Sequence, residues 1–153
     1  IKIYCIIGSS NPHANKIKKI IGKLGKNAEL IVDSKNIPEI LINVDIAVGA
    51  AGLGLYERAC SGVANIAIPI SQNQKCMSRW LSSIGGCYYL EPVKSRFQSD
   101  LYNALNDLLT NKELLESISK LIFLNLNINC NIFKKVSSLL ETKSSYLINK
   151  YLL

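Results

Sequence analysis

Glu57 closes the segment Gly52-Leu-Gly-Leu-Tyr-Glu57, and the residues that lead into it, Gly49-Ala50-Ala51-Gly52, are all small. Small side chains between a strand and a helix leave backbone N–H groups uncovered, and such groups at a helix start can meet an anion. A carboxylate one turn further on can accept hydrogen bonds from two adjacent hydroxyls. Anion-binding amides beside a diol-binding carboxylate would suit a nucleotide sugar. The plainer reading of the same residues is a tight turn that binds nothing, with Glu57 complementing the helix dipole. A second polar pair, Asn73-Gln74, stands downstream in Asn73-Gln-Lys-Cys-Met-Ser-Arg-Trp80. Neither Gly-x-Gly-x-x-Gly nor Gly-Lys-Ser/Thr occurs, so the dinucleotide and P-loop fingerprints do not apply.

The elements that must hold these residues follow from the apolar pattern. Ile1 to Ile7 is nearly all apolar or β-prone and reads as a buried parallel strand, ending at Gly8-Ser-Ser-Asn-Pro12. Asn11 is placed to cap a helix and Pro12 suits its first position. Ile17, Ile20, Ile21 and Leu24 then share one helical face, and Gly25 suits the stop. Ala28 to Val32, Asp45 to Val48, Ala64 to Ile70 and Cys87 to Leu90 read as further strands, with a short helix over Pro38 to Asn43. Leu55, Tyr56, Ala59 and Cys60 give one helix its face, and Cys76, Met77, Trp80, Leu81 and Ile84 give the next, which Asn73 opens as N-cap. Ser95 and Gln98 form a capping-box pattern before Phe97 to Leu109, and another helix spans Glu113 to Phe123. Asn125 to Asn131 reads as a loop, followed by a last helix from Ile132 that breaks at Thr142 to Ser145.

Alternation of strand and helix predicts an α/β fold with a parallel sheet of about five strands and flanking helices. Ligands of such sheets bind beyond the carboxyl ends of the strands. The loops Gly8 to Pro12, Asp33 to Ile37, Gly49 to Leu53 and Ser71 to Gln74 are therefore expected at one edge.

Bulk properties bound the rest. A chain of 153 residues, 48% hydrophobic and 19% charged, can build a core and is not disordered in composition. The expected organisation is one domain over 1–140 with a helical tail over 141–153. No run of 18 apolar residues occurs, so no membrane span is expected, and nothing at the start resembles a signal peptide. Five cysteines without a Cys-x-x-Cys pair and a single histidine, His13, give no metal site and no disulfide framework, which fits a reducing cytoplasm. The net charge of +7 raises nucleic acid as a partner, but Lys16, Lys18, Lys19, Lys23 and Lys26 line the polar side of one helix without interleaved aromatics. A solvated face is the better reading, and no nucleic-acid partner is expected.

In order and spacing, Gly8-Ser-Ser-Asn-Pro12, Asn36-Ile37-Pro38, Asp45-Ile-Ala-Val-Gly-Ala-Ala-Gly52 with Glu57, and Asn73-Gln74 with Trp80-Leu81 resemble the C-terminal domain of the PseG family. Those UDP-2,4-diacetamido-2,4,6-trideoxy-β-L-altropyranose hydrolases of pseudaminic acid biosynthesis are related to the MurG-like glycosyltransferases. The resemblance implies a Rossmann-like fold like the C-terminal half of GT-B proteins, a UDP-linked amino sugar as ligand and no cofactor. It implies diphosphate against Ala51, Gly52 and Leu53, ribose on Glu57, and uracil at Ile37. The sugar and reaction centre fall at Asn73, the implied catalytic residue, with Gln74 beside it, and Ser9 and Asn11 on the first loop. It also implies a partner N-terminal domain, whose Gly-x-Gly-His loop supplies the base, and a further strand and helix before Ile1. Leu53 and Gly54 stand where relatives carry Ser or Thr. The alternatives are the donor-binding half of a MurG-like glycosyltransferase and a non-catalytic nucleotide-sugar-binding module.

Overall fold

The computed structural model describes residues 1–127. They fall into two compact units, Ile1–Ile37 and the chain from Pro38 onward.

In the first unit β1 (Ile3–Ile7) runs parallel to β2 (Ala28–Val32), with Ile3 opposite Ala28 and Ile7 opposite Val32. The crossover between them is α1 (Ala14–Lys23) and a 3-10 turn over Gly25–Asn27. Gly25 takes a positive φ of 58°, the left-handed conformation that stops a helix and that glycine adopts without strain. The α1 lysines are exposed, as a solvated face requires. The expected N-cap at Asn11 is corrected. The helix begins two residues later behind His13, and the Asn11 side chain instead accepts the His13 N–H at 2.8 Å, turning the loop before the helix starts. The expectation that β1 is a buried strand is also corrected. No residue of Ile1–Ile37 is buried, and Ile3 and Ile6 remain 44% and 36% exposed. Two strands and one helix have too few layers to close over both faces of a sheet.

The second unit holds β3 (Ile46–Ala50), α3 (Leu53–Cys60), β4 (Ala64–Ile68), α4 (Gln72–Ser83), β5 (Tyr88–Tyr89), α5 (Phe97–Thr110) and α6 (Lys112–Asn127), and α2 (Ile37–Leu41) spans the division. Its sheet is parallel throughout, in the order β3-β4-β5, with Ile46 opposite Ala64 and Ala50 opposite Ile68. Central β4 is covered on both faces: Ala64, Asn65, Ile66 and Ala67 have no exposed surface. One core cluster joins Ala64 and Ile66 to Ala59, Leu90, Ala104, Leu108 and Ile118; another joins Ala67 to Ala51, Leu55, Leu81 and Cys87. Such double coverage is why β4 reads as an apolar run with Asn65 as its one polar residue.

The α/β class and the parallel, helix-flanked strands are as expected, but the five strands form a two-stranded and a three-stranded sheet. Three local expectations shift. The α5 N-cap is Arg96, without a side-chain cap from Ser95; the α4 N-cap is Ser71, not Asn73; and α6 runs on through Asn125 and Asn127. The remainder of the expected loop to Asn131, the helix from Ile132, the boundary at 140 and the 141–153 tail lie outside the described residues.

Candidate functional site

Because β3 and β4 are parallel and in register, their carboxyl ends lie side by side. The ladder continues one bond past the strands, with the Ala51 N–H donating to the Ile68 carbonyl at 2.9 Å. Ala51 is 3% exposed and its N–H is spent on this bond, so it ends the ladder. The open donors begin one residue later. Gly52 is the α3 N-cap in extended conformation and Leu53, 83% exposed, is the first helical residue. Neither amide donates to any group among the described residues, as the first turn of a helix leaves its N–H groups unanswered.

Gln74 faces this turn. Its Oε1 accepts the Ile70 N–H at 3.1 Å, which satisfies an amide just ahead of α4 and fixes the side chain. A Cβ at Gly52 would stand 3.3 Å from Gln74 Nε2, so the absence of a side chain there lets the amide group approach. The Ser71 hydroxyl donates to Asn73 Oδ1 at 2.5 Å, orienting Asn73 in the exposed first turn of α4. Gly52 and Gln74 are thus in contact range, and Leu53 and Asn73 belong to the same two helix starts.

Glu57 is exposed and has no ion-pair partner among the described residues. Next to it stands a residue that sequence reasoning missed. Arg58 Nε donates to Asn65 Oδ1 at 2.7 Å and Nη2 to the Ala50 carbonyl at 2.9 Å. Asn65 is fully buried and also donates from Nδ2 to the Val63 carbonyl at 2.8 Å. Burial pulls the Arg58 guanidinium below its ordinary pKa, with the charge of Glu57 acting the other way. The available signal was Asn65 itself, a polar residue inside an apolar strand that must find a partner.

Ser9, Asn11 and Ile37 belong to the first compact unit. The Ser9 N–H donates to Asp33 Oδ1 at 2.7 Å, and the Ser9 hydrogen bonds hold the Asp33 carboxyl below its ordinary value. Asp33 carries a positive φ of 50°, and its own N–H returns to the Ile7 carbonyl at 2.9 Å. Ile37 is half-buried at the start of α2. Among the described residues no group of three or more His, Cys, Asp and Glu could hold a metal ion, and no helix is long and apolar enough to cross a membrane.

The chain has the α/β fold of the C-terminal half of GT-B glycosyltransferases. It superposes on the crystal structure of Acinetobacter baumannii MurG with a TM-score of 0.65 and 18% identity, over 93% of this chain and 42% of MurG. A glycosyltransferase of kitacinnamycin matches with a TM-score of 0.56 and 16% identity, over 80% of this chain and 38% of that one. The chain therefore spans less than half the length of either neighbour. No protein-family model matches it, and no curated protein does.

Proposed function

We propose that this chain is the nucleotide-sugar-binding half of a GT-B-type enzyme, with UDP as the nucleotide. The observation that carries the reading is the turn after β3: two unanswered amides, Gly52 and Leu53, beside the fixed Gln74 amide group. In this reading the diphosphate lies on those amides, the ribose hydroxyls on Glu57, and the sugar near Asn73. Departure of UDP places charge on the diphosphate oxygens, and amides already aimed there stabilise it without reorganising. The anomeric carbon then takes either an acceptor hydroxyl or water. Transfer is supported by the likeness to MurG and to the glycosyltransferase of kitacinnamycin. Hydrolysis of a UDP-linked amino sugar is the second reading, supported by the resemblance of Asp45–Glu57 and Asn73-Gln74 to the PseG hydrolases.

Either reaction needs a general base, and in this reading the carboxylate beside the turn, Glu57, is taken up by the ribose. We therefore assign the base to a second domain, and a cytoplasmic setting follows from a cytosolic pool of UDP-sugars. The test is titration of UDP into the isotopically labelled chain. Shifts at the Gly52 and Leu53 amides are expected, with weaker ones for ADP. UDP that leaves both amides unmoved would remove the basis of the proposal. Incubation of the chain alone with UDP-N-acetylglucosamine is expected to release no UDP; release would mean that the base is present here.

A further inference from the structure

Among the described residues, Lys2, Lys75, Arg79, Arg96 and Lys112 each meet a carboxylate within 4 Å, and all but the half-buried Lys75 are exposed. Arg58 is half-buried too, and it meets none within that distance. Two of its corners go to neutral acceptors, the Asn65 amide oxygen and the Ala50 carbonyl. The third, Nη1, donates to no group among the described residues. It lies against two glycines: a Cβ at Gly49 would stand 2.8 Å from it and one at Gly54 3.3 Å. Neither glycine has a positive φ, so the close approach of the guanidinium accounts for the missing side chains, not a turn conformation. Nη1 is not sealed off either, because every sealed side-chain N or O among the described residues has a partner.

A guanidinium is always charged and carries a fork of donors that matches phosphate oxygens. Here the fork is locked from behind by a buried amide, with its remaining corner between the end of β3 and the first residues of α3. No carboxylate among the described residues comes within 4 Å of it, and burial outweighs the more distant favourable charge of Glu57 in disfavouring the charged form, so an anion at the open corner relieves a standing cost.

We infer that Arg58 is the positioning residue that gives the Gly49–Gly54 turn its positive charge and so makes it selective for a diphosphate over an uncharged nucleoside. The inference deepens the nucleotide-sugar reading and rests on it for the identity of what carries the diphosphate. The decisive substitution is Asn65→Asp. It is nearly isosteric and leaves Arg58 in place, but sets a carboxylate on Nε, so that the fork is neutralised from inside.

The experiment titrates inorganic pyrophosphate, and separately UDP and uridine, into the labelled full chain at constant ionic strength. In the wild type, pyrophosphate is expected to shift the Gly52 and Leu53 amides. Asn65→Asp and Arg58→Met should each weaken pyrophosphate by about tenfold, the scale of one charge-assisted contact, and leave uridine unchanged. Arg58→Lys, which keeps the charge but loses the fork, should recover part of the loss. If Asn65→Asp does not fold, the Arg58→Met and Arg58→Lys pair decides. Unmoved amides in the wild type, or wild-type pyrophosphate affinity in the neutralised variants, overturns the inference. Pyrophosphate binding that depends on Arg58 without any gain for UDP would uphold it and sink the nucleotide reading instead.

Discussion

Glu57→Gln keeps the shape of the side chain and removes the charge that a diol would meet. A carboxylate accepting two hydroxyl hydrogens makes charge-assisted bonds of roughly 1.5–3 kcal/mol each, and an amide makes weaker ones. The substitution should lower UDP affinity by about tenfold, equivalent to about 1.4 kcal/mol, with little change in thermal stability because Glu57 is exposed and pairs with nothing described. Equal affinity by calorimetry would reduce Glu57 to a dipole partner. At Gly52 the expectation is sharper in geometry. An added Cβ meets Gln74 Nε2 at 3.3 Å, so Gly52→Ala should displace that amide group and weaken UDP several-fold. Gly52→Ala combined with Gln74→Ala should then cost no more than Gln74→Ala alone; a fully additive loss in the double variant would show that the two do not act through each other. The approach of Gln74 to Gly52 was legible as far as residue types go, because a run of small residues and an Asn-Gln pair are visible in the sequence. Arg58 was not, because its role depends on Asn65, which the chain brings to it only by pairing β4 with β3.

At the scale of elements, α4 is tied to the strand beside it by one acid. Glu91, just past β5, accepts from Lys75 Nζ at 2.7 Å, from Arg79 Nη2 at 3.0 Å and from the Tyr89 hydroxyl, and Arg79 also lies 5.5 Å from the centre of the Tyr89 ring. On the other side the Tyr88 hydroxyl donates to Asp107 on α5 at 3.2 Å. The Lys75 hydrogen bond first, then that of Tyr89, lowers the Glu91 pKa from 4.5 to about 2. A carboxyl whose folded pKa lies below its unfolded value stabilises above the unfolded pKa. That contribution fades as pH falls from about 4.5 to about 2. The wild type should therefore lose melting temperature across this window more steeply than Glu91→Gln, and parallel curves would show that the cluster holds nothing. Helix starts were the least legible part of these elements. Asn11, Asn73 and Ser95 all have the chemistry of an N-cap, but His13, Ser71 and Arg96 hold that position. None of the latter three makes a side-chain cap bond, so cap chemistry did not choose the start of these helices.

For the whole molecule, the runs of β1 and β4 are both largely apolar in sequence, and it is β1 that reads as a buried strand. The outcome differs because coverage is set by the number of layers and not by the strand. β4 lies between β3 and β5 with α3, α5 and α6 residues in its core, and four consecutive residues, Ala64 to Ala67, have no exposed surface. Among the described residues β1 pairs with β2 alone, and its unit buries no residue. Buried apolar area is what resists opening, so stability should be unevenly shared. Amides of β4 should exchange with solvent only through global unfolding, whereas those of β1 and β2 open locally. The difference should be at least about a hundredfold in protection, about 2.8 kcal/mol in opening free energy. Native-state hydrogen exchange followed residue by residue measures both in one sample. Protection of Tyr4 to Ile7 equal to that of Asn65 to Ile68 would mean that the first unit is held by something beyond its own two strands and helix. In that case the lowest-stability segment of the chain would have to be sought in the surface loops instead.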